Sequence, residues 1–148
     1  MIITQKSKIE DCYKLAATLC EQDRRELEAL KSDPLVSLKT ALKSTVLCRS
    51  AFDKDGKIIA MFGINQDGRC VVPWLLSSTE IKKHKRQLYV WGRIFIRRYL
   101  KDYPHMTNIV HAENKQAIRF LKHLGAHFKA HFKYNKTHFV SFEFIRDK

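Results

Sequence analysis

His111 and Glu113 stand two positions apart at the end of the run TNIVHAE, directly ahead of Asn114. An imidazole titrates near neutral pH, so a histidine there can take up or release a proton under ordinary conditions. Residues at the end of a strand are as readily structural. A second concentration of charge is KKHKR, in which Lys82, Lys83, Lys85 and Arg86 can meet phosphate oxygens as side-chain cations. The same run also reads as a solvated helix face or a polyanion contact. Cys12, Cys20, Cys48 and Cys70 form no C-x-x-C pair, so no metal site is assigned. A thiol at Cys70, in a strand-like run, could in principle accept an acyl group. An apolar strand raises a thiol's pKa, however, and buried, reduced thiols are the expected state.

These residues need elements to position them. IITQK, residues 2–6, reads as a short strand, with Ser7 a cap for a helix from about Lys8. The charged run EQDRRELEALK continues or restarts that helix to about Lys31. Asp33-Pro34 is a helix-start signal for LVSLKTALKS. TVLCRSAFD, GKIIAMFGIN and RCVVPWLL follow, separated at Asp55-Gly56 and Asp67-Gly68, which predicts an antiparallel meander. Pro73 predicts an edge, bulge or splay in the third of these strands.

Ser77 and Glu80 have capping-box spacing, and a long helix is predicted from there to about Lys101. Its buried stripe would be Ile81, Leu88, Trp91, Phe95 and Tyr99. Gly92 in mid-helix suggests a close packing contact. TNIVHAE predicts another strand. NKQAIRFLKHLGA is then an amphipathic helix with Asn114 as cap and Gly125 as stop. HFKAHFKY and HFVSFEFI alternate as two strands turned at NKT, with Phe128, Phe132, Phe139 and Phe142 packing inward or onto neighbours. The order is β-α-α-β-β-β-α-β-α-β-β. The long helix can serve as a crossover that sets strands four and five side by side and parallel in a mixed α/β sheet.

The length of 148 residues suits one domain, 1–148, with a substantial core. A hydrophobic content of 45% excludes a disordered chain. No run is apolar enough to cross a bilayer and no signal peptide stands at the start, so no membrane association is expected and a cytoplasmic location is. Lys and Arg number 28 against 15 Asp and Glu, a formal charge of +13, which favours anionic partners.

The element order together with AENKQAIRFLKHLGAHF resembles the GNAT superfamily of N-acetyltransferases. There a strand leads to an Asn and a helix of the form N-x-x-A-(apolar)-x-(apolar)-Tyr-x-x-(apolar)-Gly-(aromatic). Asn114, Ala117, Ile118, Phe120, Leu124 and Gly125 match. The second half of the chain, with its basic long helix, IRFLKHLGA and aromatic final hairpin, also resembles the phage internal virion protein A family of short-tailed phages. The resemblance implies splayed strands four and five that admit the pantetheine arm of acetyl-CoA. It implies Trp74, Leu75 and Leu76 nearest the thioester, and the pyrophosphate at the following helix N-terminus. Asn114 would help hold the cofactor or acceptor, and the acceptor would be an amine.

Three features depart from that pattern. The glycine-rich pyrophosphate loop is replaced by STEIKKHKRQL, leaving Lys82, Lys83, Lys85 and Arg86 to meet phosphates. The tyrosine that commonly serves as acid falls on Leu121, so Tyr89 or Tyr134 would have to substitute. The fourth strand has no carboxylate, which leaves His111 and Glu113 as candidate bases. The implied function is an acyl-CoA N-acyltransferase-like protein of a phage or prophage. One alternative is an inactive relative that binds a phage structural protein in morphogenesis, located in the host cytoplasm or the virion. The other is a nucleic-acid-binding module using the basic helix face.

Overall fold

In the computed structural model, which describes residues 2–147 (Ser44 and Thr45 by backbone alone), the chain forms seven strands in the expected order, but five α-helices where four were expected, three of them before the second strand. β1 is Ile3–Lys6, β2 Thr45–Phe52, β3 Ile58–Asp67 and β4 Cys70–Ser77. They pair antiparallel as β1-β2-β3-β4, with Gly56 (φ 83°) and Gly68 (φ 60°) taking the left-handed turn positions. β5 is His105–His111, β6 His127–Tyr134 and β7 Thr137–Ile145, in a second antiparallel sheet ordered β5-β7-β6. Its hairpin turns at Asn135 and Lys136, both at positive φ, the geometry of a two-residue primed turn.

α1 (Ile9–Thr18), α2 (Glu21–Ala29) and α3 (Pro34–Ser44) precede β2. The first helix therefore restarts and does not run through. The break falls at Leu19 and Cys20, because Leu19 bridges Ser78 and the Cys20 N–H donates to the Ser77 carbonyl at 2.9 Å. Asp33 caps α3 as expected, accepting from the Val36 N–H. Ser7 does not cap α1. Its hydroxyl instead lies 2.8 Å from the Ser50 hydroxyl, which donates to Asp11 Oδ2 at 2.8 Å. The Lys8 N–H donates to the same oxygen at 2.9 Å. This buried network ties α1 to β2. Asp11→Ala removes the acceptor shared by the buried Ser50 hydroxyl and the part-buried Lys8 N–H and is expected to destabilise the fold by about 1–2 kcal/mol, read from the urea midpoint.

Ser77 is likewise not a cap. Ser78 accepts from the Glu80 N–H and heads a short 3₁₀ turn, Thr79–Lys83. α4 begins only at Lys85 and ends at Asp102. On its buried side Ile96 is enclosed, while Leu88, Phe95 and Tyr99 pack partly against the core. Trp91, expected inside, is 42% exposed, because it falls at the margin of that stripe. Gly92 is the contact point with α5 (Lys115–His123): a Cβ there would come within 2.7 Å of Leu124 Cδ2. Asn114 caps α5 through the Ala117 N–H, and Gly125 ends the segment at φ 99°.

α1–α3 cover one face of the first sheet, around Leu15, Leu38 and Met61. α4 and α5 pack on the core built by β5 and β7, around Met106, Val110 and Phe142. Phe139 and Phe142 are buried, and Phe132, on the outer strand β6, is partly exposed but stacks on Phe139 at 5.9 Å, packing onto a neighbour as expected. No disulfide joins any of the four cysteines. Cys12 and Cys20 are buried, Cys48 half-buried, and Cys70 exposed at the tip of its hairpin, so the expectation of burial fails for Cys70.

Candidate functional site: the splay between β4 and β5

No ladder joins β4 to β5. The ladder to β3 uses the backbone groups of Trp74, Leu76 and Ser78, as the bond from the Ser78 N–H to Ile59 shows. Strand alternation then turns the N–H and C=O groups of Leu75 and Ser77, and the carbonyl of Pro73, outward. On β5, the bond from the Ala112 N–H to His138 fixes the opposite edge: Thr107, Ile109 and His111 face outward.

Side chains bridge this gap where backbone does not. Asn108 Nδ2 donates to the Pro73 carbonyl at 2.8 Å, while its Oδ1 accepts from the Ile109 N–H at 2.7 Å. At the other end, Asp23 Oδ2 accepts from the Ser77 N–H at 2.7 Å and the Ser77 hydroxyl at 3.1 Å. Glu26 Oε1 accepts from the His111 N–H at 2.7 Å. Asp23 and Glu26 lie one turn apart on α2, so this helix holds a carboxylate against each lip. Pro73 then Ser77 on one strand, and Asn108 then His111 on the other, are engaged in the same chain order, as in parallel neighbours. Between the bridges, the Leu75 N–H and C=O face the gap without a partner among the described residues.

The gap opens into a cleft of about 550 Å³. Trp74, Leu75 and Asn114 line it, with Lys82 and Lys85 beside the start of α4 and Tyr89, Phe120 and Leu121 on the helical side. The first turn of α4 carries no capping side chain and no acid, so its free N–H groups favour an anion. Burial pushes the Glu26 carboxyl up to about 7, against the lowering effect of the His111 N–H, with the nearby Asp23 charge adding to the rise. Burial raises Asp23 as well, against its bonds from Ser77 and Cys20. Glu26 is thus a carboxylate poised to exchange a proton near neutrality.

Several other candidates lie elsewhere. Leu76 points into the core under α1–α3, as its parity on β4 requires. Lys83 pairs with Glu80 at 3.3 Å, and Arg86 stays outside the cleft. His111 contributes its backbone. Its ring packs on Phe139 at 5.7 Å, and Nδ1 accepts from the Glu113 N–H. The Glu113 side chain is exposed, and Tyr134 is exposed at the β6 hairpin. Asp23, Glu26 and Asn108 were not singled out from the sequence. The first two share a helix face with Leu27 and Leu30, an odd place for two charges in an otherwise solvated run. Asn108 is an amide in mid-strand, where asparagine is depleted.

Two half-sheets splayed over such a cleft define the N-acetyltransferase fold, and solved structures agree. A GNAT-family acetyltransferase from Bacillus anthracis superposes with a TM-score of 0.72 at 8% identity, covering 97% of this chain and 94% of its own. The ribosomal-protein-S18-alanine N-acetyltransferase from Escherichia coli gives 0.67 at 11%, covering 100% and 96%. The yncA structure from Salmonella typhimurium, solved with its cofactor acetyl-CoA, gives 0.62 at 12%, covering 99% and 95%. At these identities the likeness is one of fold. The family described as Bacteriophage T7, probable scaffold protein Gp13, matches residues 51–133, more than half of the chain, and the chain belongs to that family. No curated protein matches it. No helix among the described residues is long and apolar enough to cross a membrane.

Proposed function

We propose that this chain is a phage assembly protein that keeps the acyl-thioester cleft of its fold and brings an amine to it beside Glu26. The description of its family as a probable scaffold supports the assembly role. The observation that carries the cleft reading is the unpaired Leu75 edge, set between bridged positions and facing a space that Glu26 shares. Acetyl-CoA, the simplest ligand of this class, would supply an activated acyl carbonyl.

The residues present fit it. Leu75 would pair with the amide groups of the pantetheine arm as a neighbouring strand would. Lys82, Lys85 and the bare α4 terminus would meet the phosphates. Ionised Glu26 would take the proton of the attacking amine, and that proton would end on the departing thiol. Leu121 cannot donate it, whereas the Tyr89 hydroxyl borders the same space.

Calorimetric titration with acetyl-CoA and CoA tests the reading. Leu75→Pro removes only the outward N–H, an exchange this edge already tolerates at Pro73, and should weaken binding at least about tenfold. Leu75→Ala keeps that N–H and should bind within about threefold of the parent. Absence of binding to the parent at millimolar ligand, or equal affinities for both variants, refutes it.

A further inference from the structure

We propose that the outer face of α4 docks an acidic amphipathic helix of a partner protein. Val90 and Ile94, one turn apart, are 57% and 62% exposed, and Trp91 beside them is 42% exposed. Together they make an apolar ridge on a helix whose other side already packs the core. Arg93, Arg97 and Arg98 flank the ridge. Among the described residues none of these arginines pairs with a carboxylate, and Asp102 is the sole acid in α4. A ridge of residues spaced by four seats in the groove of another helix, and the arginines would then meet its acidic flanks.

The charge selects among occupants. A second copy would bring the same arginines and a further charge of +13, so self-association is disfavoured. Nucleic acid would answer the arginines but leave Val90 and Ile94 facing water. A membrane surface needs a broad apolar face to insert, and the broad face of α4 is spent on Phe95, Ile96 and Tyr99. A partner with both leucine-type and acidic side chains answers the ridge and the arginines together. Trp91, Ile94 and Arg98 also border the cleft, so the docked helix would lie along its rim, whether or not the cleft turns over a thioester.

Fluorescence anisotropy on the full chain tests the assignment. The probe is a labelled synthetic helix of roughly five turns, with leucines on one face and glutamates on the others. It should bind, and Val90→Ser and Ile94→Ser should each weaken it about tenfold while the thermal midpoint stays unchanged. A companion peptide with serines for leucines should bind at least about tenfold more weakly. Four results would overturn the proposal: no binding of the leucine peptide, equal binding of the serine peptide, indifference to both variants, or tighter binding of single-stranded DNA or phosphatidylglycerol vesicles.

Discussion

Glu26→Gln is expected to lower amine acylation by at least about a hundredfold, because it removes the group placed to accept the amine's proton. In the parent, the rate should climb with pH through about 7 as Glu26 ionises, and that limb should vanish in the variant. The same substitution should raise stability above neutral pH. Glu26 has an ordinary value of 4.5 and a folded value of about 7. Between those two values the unfolded chain has shed the proton that the folded chain still holds. Stability therefore falls as pH rises across that window, and above it the folded state carries the full cost of a half-buried charge. Glutamine bears no charge, and its carbonyl can still accept the His111 N–H. The gain at pH 8 is of the order of 1–3 kcal/mol, absent at pH 4. Thiol release from acetyl-CoA with a lysine-containing peptide reads the first effect, and thermal melts from pH 4 to 9 read the second. A parent whose stability does not fall across the window would show that Glu26 is not raised, whatever the activity assay gives.

Gly63→Ala should be the most damaging substitution in the first sheet, about 3 kcal/mol or more, seen as a lower urea midpoint with unchanged slope. Gly63 pairs with Cys48 on β2 and Trp74 on β4. β2 is irregular between Thr45 and Leu47, which pushes the Leu47 carbonyl toward Gly63. A Cβ would run into that carbonyl and come within 3.1 Å of the Trp74 indole nitrogen. Backbone cannot swing aside as a side-chain tip can, so β2 or Trp74 must move. Trp74 borders the cleft, so relocating it should also disturb ligand binding at temperatures where the variant is still folded.

Local signals carried much of the fold. Gly56 and Gly68 sit where Asp-Gly pairs marked turns, Asn114 and Asp33 cap the helices they precede, and Gly92 is the close contact its position implied. The misplaced features share one cause. Ser7 and Ser77 have the residue type and spacing of caps, but each finds a better partner far away in sequence, Ser50 in one case and Asp23 in the other. Trp91 matched the stripe by spacing alone, yet it falls at the margin of the buried face and borders the cleft.

The candidate site divides in the same way. Pro73 and the strand-to-Asn114 sequence are local, and they point to a splay between β4 and β5 followed by a capped helix. By itself the sequence determined the order of the strands, the turns, the basic charge and the absence of the usual tyrosine at Leu121. Tertiary structure alone decided that Asp23 and Glu26 leave the solvated run they seemed to belong to. Alternation turns unpaired backbone donors into the gap, and buried donors require acceptors. The break at Leu19 and Cys20 swings α2 across that gap and supplies two carboxylates, and the burial this imposes raises the carboxyl of Glu26 toward neutrality.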